Sequence, residues 1–404
     1  MSELLEWAER AETASARKDF KRAAMAWAMV TALDPASADA KHNLGNALAP
    51  LGRHFEAAYC FLDALEIEPE RADTRISLGS VLLDLGQTAD ANAILKEAME
   101  IDPSSALAAW NRSLALLRLG QWQEGFRLFE NRLLCPGAMP PPVEAPLWDG
   151  KHFDGTLAVW AEQGMGDAIH FARYLKQIPK RVKETILLVH PDLVSLFAFS
   201  FPMIKVLPLH ETVKADRQIA LLSLAHLFGF SGPVPPYLEA DPDHIEAWRA
   251  ELSGSELKVG IAWRGNPNHP ADERRSCGLD TLTPVLAIQD VRFISLQVDA
   301  TGEEPPPPIE NVTHRLTDFA QTAAVISHLD LVIAPDTALA HLAGAMNMPC
   351  WTALRFGGDW RWGDAGETTP WYPKMRLFRQ ERSQDWTAPM ANLSLALWAL
   401  RALR

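Results

Sequence analysis

At 404 residues the chain is too long for one typical domain and suits two or three. Apolar residues at 48% and charged residues at 22% describe a globular protein with ample core. A net charge of −13 argues against nucleic acid as the main partner, since phosphate neutralisation needs a basic face. No apolar run nears the roughly 18 residues that a membrane span requires.

The N-terminal stretch MSELLEWAERAE is acidic and helical in pattern, with neither the basic start nor the apolar run of a signal peptide. Cys60, Cys135, Cys277 and Cys350 lie far apart with no CxxC spacing. They read as reduced thiols in a cytoplasmic protein. The first third of the chain then repeats itself. Asp34-Pro35, Glu68-Pro69 and Asp102-Pro103 follow one another at steps of 34 residues, with two short helical patterns per step. One unit reads Leu44-Gly45, Leu48, Gly52, Phe55, Ala57, Phe61, Ala64, Ile67. The next reads Leu78-Gly79, Leu82, Gly86, Ala91, Leu95, Ala98, Ile101. Small residues let paired helices approach, and the proline ends each second helix. A partial fourth unit covers 104–133, and the first, 2–35, departs from the pattern as a terminal cap does. This period resembles the tetratricopeptide repeat and predicts a solenoid whose concave face takes peptides or helices. Asn43 and Asn111 hold one position two periods apart, with Ser77 between them. They read either as ligands for a peptide backbone or as residues simply common at that place.

Cys135 to Pro142, rich in proline, breaks the helical period and reads as a stiff linker. Beyond it strands are predicted at 156–161, 185–189 and 204–207, with helices following Gly166 and at 193–199 and 221–228. A polar helical stretch over 241–255 ends at Ser253-Gly254-Ser255, a candidate hinge. Alternation resumes with strands at 258–263, 292–298, 331–334, 350–354 and 375–379. Helices are predicted at 282–288, 321–329, after Thr337, and over 389–403, and Glu303-Glu304 with Pro305 to Pro308 forms a loop. Strands alternating with helices imply parallel sheets covered on both faces, here two Rossmann-like halves facing a cleft.

Three stretches carry chemistry. Gly164-x-Gly166-Asp167 follows a strand and opens a helix, so its glycines permit a tight turn and close approach of a ligand. A nicotinamide site is poorly matched, because no third glycine appears. Asp167 reads as a helix cap or as a general base. The polar loop from Trp263 to Ser276 follows another strand end. Its Arg274 and Arg275 can clamp a diphosphate bidentately or pair with Asp272 and Glu273. Asp336, Thr337 and His341 stand at the start of a helix after a buried strand, a place whose free N–H groups and dipole suit a phosphate. Asp359-Trp-Arg-Trp362 and Trp371-Tyr372 either wall a sugar or base or cover the core. There is no HxxxH cluster, so no metal is expected.

GMGDAIH at 164–170 resembles the GD-x-x-H turn of lipopolysaccharide heptosyltransferases, and PDTALAHLAGAMNMPCW at 335–351 resembles their DTGLAHLAAALGKP block. With AEQGMGDAIHFARYL, IAWRGNPNHPADERRS, FISLQ, LTDFAQTAA, DWRW and WYPKMRLFRQ, the resemblance covers nearly all of 156–386. The whole chain resembles bacterial proteins that fuse tetratricopeptide repeats to a family 9 glycosyltransferase region. In architecture it is similar to O-linked N-acetylglucosamine transferase. The resemblance implies a GT-B fold and metal-independent, inverting transfer from a nucleotide-diphosphate sugar, which is substrate and not cofactor. Asp167 matches the family's proposed base, and Arg275 falls near its diphosphate-neutralising lysine. Gly164, Gly166, Asn266, Arg274, Ser276, Gln297, Asp336, Thr337 and His341 fall in the donor-binding motifs. His170, Trp360 and Arg361 fall in motifs placed at the acceptor or lid. Ala338 replaces the family's glycine beside the phosphate, and Arg for Lys keeps charge but changes geometry.

The expected fold is thus an α-solenoid of tetratricopeptide repeats followed by an α/β GT-B fold of two Rossmann-like lobes. Its expected parts are 1–135 for the repeats, 136–150 for the linker, 151–254 for the first lobe and 255–404 for the nucleotide-sugar-binding lobe. The expected partners are a nucleotide-sugar donor and an acceptor, either a protein or peptide on the repeat face or a saccharide or lipid. A non-catalytic scaffold with a degenerate GT-B region is the alternative reading. A third, weaker one is a lipopolysaccharide enzyme using its repeats to oligomerise.

Overall fold

The computed structural model describes residues 3–178, 180–267, 272–298 and 304–403, the Glu273 side chain excepted. Four helix pairs build the first part. They are α1 (Glu3–Ala16) and α2 (Phe20–Leu33), α3 (Ala38–Leu48) and α4 (His54–Ile67), α5 (Ala72–Asp84) and α6 (Thr88–Ile101), and α7 (Ala106–Arg118) and α8 (Trp122–Phe129). The 34-residue period is written in the packing. One position must be small: Ala11, Gly45, Gly79 and Ser113 are each buried there. A Cβ on Gly45 would stand 2.5 Å from Phe61, and one on Gly79 only 2.4 Å from Leu95. A second position turns the chain between the helices of a pair. Gly52, Gly86 and Gly120 adopt φ of +76°, +70° and +74°, where glycine meets no steric penalty. A third carries ion pairs, Lys41 to Asp63 at 2.9 Å and Arg75 to Glu97 at 3.1 Å, each joining the two helices of one unit.

The chain divides into two compact units, 1–138 with 357–364, and 139–356 with 365–404. The proline-rich stretch does not hang free as a linker. Trp148, 2% exposed, donates its backbone N–H to Gln218 O at 2.9 Å, and Gln218 N–H returns to Pro146 O at 3.0 Å, so residues 139–150 belong to the second unit.

That unit holds two sheets, both parallel throughout. The first contains β1 (Phe153–Trp160), β2 (Val182–Val189), β3 (Lys205–Pro208) and β4 (Arg217–Ala220) in the order β3-β2-β1-β4. Helices α9 (Met165–Phe171), α10 (Val194–Ser200), α11 (Leu224–Phe228) and α12 (Pro242–Trp248) accompany it along the chain. The second sheet contains β5 (Leu257–Ile261), β6 (Val291–Ser295), β7 (Ile309–Asn311), β8 (Leu331–Pro335), β9 (Cys350–Leu354) and β10 (Met375–Arg379). Its order is β10-β9-β8-β5-β6-β7. Its helices are α13 (Asp272–Arg275), α14 (Thr283–Leu286), α15 (Phe319–Ile326), α16 (Ala338–Ala345) and α17 (Thr387–Ala402). Met390, Leu393 and Leu397 of α17 are buried in the core over Val259, Phe293 and Ile333.

Strands β4 and β7 were not predicted. Each has only three or four residues, too few for alternation to show. The candidate hinge is tied down, because Arg292 donates to the carbonyls of Ser253 and Glu251 at 2.8 Å each. All four cysteines are free thiols. Among the described residues no helix is long and apolar enough to cross a membrane.

Candidate functional site

Open parallel sheets bind ligands outside the carboxyl ends of their strands, where the strand order reverses. The first sheet runs β1, β2, β3 in one direction and places β4 on the other side of β1. The second runs β5, β6, β7 one way and β8, β9, β10 the other, so its reversal lies between β5 and β8. The loop after β1 carries Gly164, Gly166 and Asp167. The loops after β5 and β8 carry Trp263 to Ser276 and Asp336-Thr337. Gln297 follows β6, which pairs with β5. Every predicted donor-site motif thus leaves a carboxyl edge at or beside a switch point.

The two sheets meet through their helix starts. A Cβ on Gly166 would lie 3.0 Å from His341 Cδ2 and 3.4 Å from the Ala338 Cα. Gly166 is therefore demanded by the approach of α9 to α16, whereas the sequence suggested room for a ligand. The next residue after Gly166 is Asp167, and the residue before Ala338 is Thr337, so Asp167 and Thr337 belong to one junction. Asp167 is half-buried, and its Oδ2 accepts the Gly164 N–H at 3.0 Å, which makes it a cap of α9. Thr337 stands at the N-cap position of α16 with extended backbone, and its side chain makes no cap hydrogen bond. The His341 Nε2 lies 3.9 Å from Asp336 Oδ1.

The loop after β5 is internally braced. Gln297 Oε1 accepts from the Trp263 and Arg264 backbones at 3.1 and 3.0 Å, and Ser276 Oγ accepts from Gly265 N–H at 3.0 Å. Arg275 donates to Asp272 Oδ1 at 3.0 Å, both side chains being mostly buried, and its guanidinium lies against Gly265. So Arg275 has the carboxylate partner that the loop's own sequence offered. Arg274 is half-buried beside it and Asn266 is exposed. Residues 268–271 of this loop, and Glu303 of the later one, lie outside the described residues. A cavity of about 200 Å³ opens beside the loop, lined among others by Trp263, Arg264, Leu279, Gln297 and Thr313. Among the described residues no three His, Cys, Asp or Glu side chains gather as a metal would need.

Three expectations are corrected. His170 is 0% exposed, with its ring 4.8 Å from that of Trp371, so it cannot face an acceptor. Trp360 and Arg361 belong to the first unit and are 3% and 6% exposed. The Trp360 ring meets those of Trp122, Phe126 and Phe129 at 6.0 to 6.5 Å, which fills a hydrophobic socket and leaves no face for a sugar. Trp371 and Tyr372, 1% and 2% exposed, are core residues as well. Asn43 and Asn111 sit half-buried on the first helices of their repeat units, α3 and α7. Sequence reading missed Arg173, which is 4% exposed inside a ring of aromatic side chains. The one signal was a cation set in an otherwise apolar helical run.

Comparison with known proteins gives one match in each part of the sequence. Residues 309–385 match the family model for glycosyltransferase family 9 (heptosyltransferase), and residues 72–105 match the tetratricopeptide repeat. Protein FlbA of Caulobacter vibrioides is 26% identical over 313 residues, covering 68% of this chain and 52% of that protein. The chain thus spans about half the length of this curated relative. Among solved structures, MamA matches 32% of this chain and 72% of its own at 18% identity and a TM-score of 0.31. YrrB, described as a TPR protein with an unusual peptide-binding site, matches 30% and 62% at 26% identity and a TM-score of 0.28. The chain thus carries a match to the tetratricopeptide repeat in its first third and a match to glycosyltransferase family 9 over 309–385.

Proposed function

We propose that the second unit is a GT-B glycosyltransferase whose two sheets are its lobes. It moves a sugar, with inversion and without a metal, from a nucleotide diphosphate to an acceptor. The observation that carries this reading is the packing of Gly166 against Ala338 and His341, which brings the two switch-point motifs to one junction. The nucleoside takes the cavity beside Trp263 and Gln297, and the diphosphate lies over the start of α16. Asp167 removes the proton of the acceptor hydroxyl as its oxygen attacks the anomeric carbon. The bond from that carbon to the phosphate oxygen breaks, and the nucleoside diphosphate leaves. The helix dipole and Arg275 neutralise its charge, with Arg275 sharing its guanidinium between the phosphate and Asp272. The repeats present a protein acceptor, with Asn43 and Asn111 bonding its backbone.

The test is a thermal-shift series with UDP-, GDP- and ADP-linked sugars in EDTA. A rise with one nucleotide class supports the donor site, and no rise with any leaves a binding scaffold. General-base catalysis contributes about 10²–10⁴-fold. Asp167→Asn, which keeps an oxygen to cap Gly164, should hold the thermal shift and lose turnover by about that factor. Full turnover in the variant removes Asp167 from the role.

A further inference from the structure

Beneath the junction lies a chain of hydrogen bonds whose direction is fixed at one end. Arg173 is 4% exposed, and among the described residues no carboxylate stands within ion-pair distance of it. Its charge is met instead by ring faces, those of Trp371, Tyr372 and Tyr237 lying 4.8, 5.0 and 5.4 Å from the guanidinium carbon. Its Nε donates to the His170 carbonyl at 2.8 Å, and its Nη2 lies 3.4 Å from His170 Nδ1. The Tyr372 hydroxyl stands between two imidazoles, 3.0 Å from His170 Nδ1 and 2.9 Å from His341 Nδ1.

A guanidinium only donates, so the His170 Nδ1 facing it must accept and His170 carries its proton on Nε2. Tyr372 then meets an acceptor and must donate its single hydrogen to His170. With that hydrogen used, the tyrosine oxygen can only accept from His341, whose Nδ1 must hold the proton. We infer that Arg173 is a positioning residue that acts through His170 and Tyr372 to hold His341 as the Nδ1–H tautomer. Its Nε2 is then turned toward Asp336 and the start of α16. In a neutral His341 that nitrogen is an acceptor. It takes a hydrogen bond from a hydroxyl and leaves phosphate oxygens to the backbone amides. This last consequence rests on the proposed glycosyltransferase reading, but the tautomer does not.

The experiment needs no substrate. The full chain, labelled with ¹⁵N-histidine, is examined at pH 8.5 by long-range proton–nitrogen correlation, with His341→Gln and His170→Gln used for assignment. The expected result is a protonated Nδ1 on His341 and a bare Nδ1 on His170. Tyr372→Phe keeps the ring that packs on Gly344 and removes only the hydroxyl, so it should release His341 toward the Nε2–H form. Arg173→Met should do the same. A bare His341 Nδ1 in the unaltered protein, or a tautomer that Tyr372→Phe leaves unchanged, overturns the inference. The outcome is independent of whether any nucleotide sugar binds.

Discussion

His42, on α3, ties two repeat units together through both ring nitrogens. Its Nε2 lies 2.8 Å from the Asn46 amide nitrogen, and its Nδ1 lies 2.9 Å from the Thr74 hydroxyl on α5. The amide donates, so Nε2 accepts and Nδ1–H donates to Thr74 in the neutral ring. Burial pushes the imidazole below its usual value, and this outweighs the opposing pull of Asp73, 3.8 Å away. The unfolded chain therefore binds this proton more readily than the folded one. The contribution of His42 to stability is complete above its unfolded value of about 6.5 and is lost as pH falls from there toward the lower folded value. Hydrogen exchange of the α3 and α5 amides should speed up between pH 7.5 and 5.5, once corrected for intrinsic rates. In His42→Leu, which cannot take up a proton there, that extra acceleration should vanish. Equal pH dependence in the two proteins would show that His42 is not the group responsible. None of this was visible in the sequence, where His42 sat unremarked one place before Asn43. Register told which residues share a position, but not which of them turn into the space between units.

Helix pairs were the most legible elements, because period, proline and small residues all agreed. The weak match of the first unit has a physical cause at one position. Counting back 34 residues from Gly52 leads to Lys18, which adopts φ of +58° where the later units have glycine. A side chain in left-handed backbone costs roughly 1–2 kcal/mol, and glycine's extra freedom in the unfolded chain returns part of that. Lys18→Gly is therefore expected to stabilise the α1–α2 pair by about 1 kcal/mol, read as slower hydrogen exchange in both helices. A loss of protection would mean that the Lys18 side chain contributes contacts worth more than the strain. Among the strands, 350–354 and 375–379 were read to the residue, since each is a short stretch bounded by turn residues. Buried parallel strands are continuous apolar runs, so length and flanks identify them better than alternation. The edge strand β4 escaped because only Ile219 and Ala220 are apolar, and they merge with the helical run that follows.

At the scale of the whole chain, sequence order and structural membership part company. The chain passes from the first unit to the second after Ala138, returns for Gly357 to Asp364, and ends in the second. A linear reading assigns those eight residues to the later lobe, and reads Asp359 to Trp362 either as a wall for a sugar or base or as a cover on the core. What places them is a set of repeat residues more than two hundred positions away. Arg118 donates to the carbonyls of Gly357 and Gly358 and to Leu83 O, and Thr88 donates to Asp364 Oδ1 at 2.8 Å. Gly357, at φ of +60°, could carry no Cβ, which would strike the Asp84 carbonyl. Trp122, Phe126 and Phe129 supply the socket for Trp360, so the last helix pair buries part of its apolar face against this insert. Truncating a buried tryptophan typically costs about 3–5 kcal/mol. Trp360→Ala should raise hydrogen exchange in 357–364 and in α8 together, while α1 to α4 remain protected. Trp360→Phe, which keeps a ring in the socket, should fall between the two. Unchanged exchange in α8 in the alanine variant would mean that the repeats close their own end, and that the insert merely rests on them.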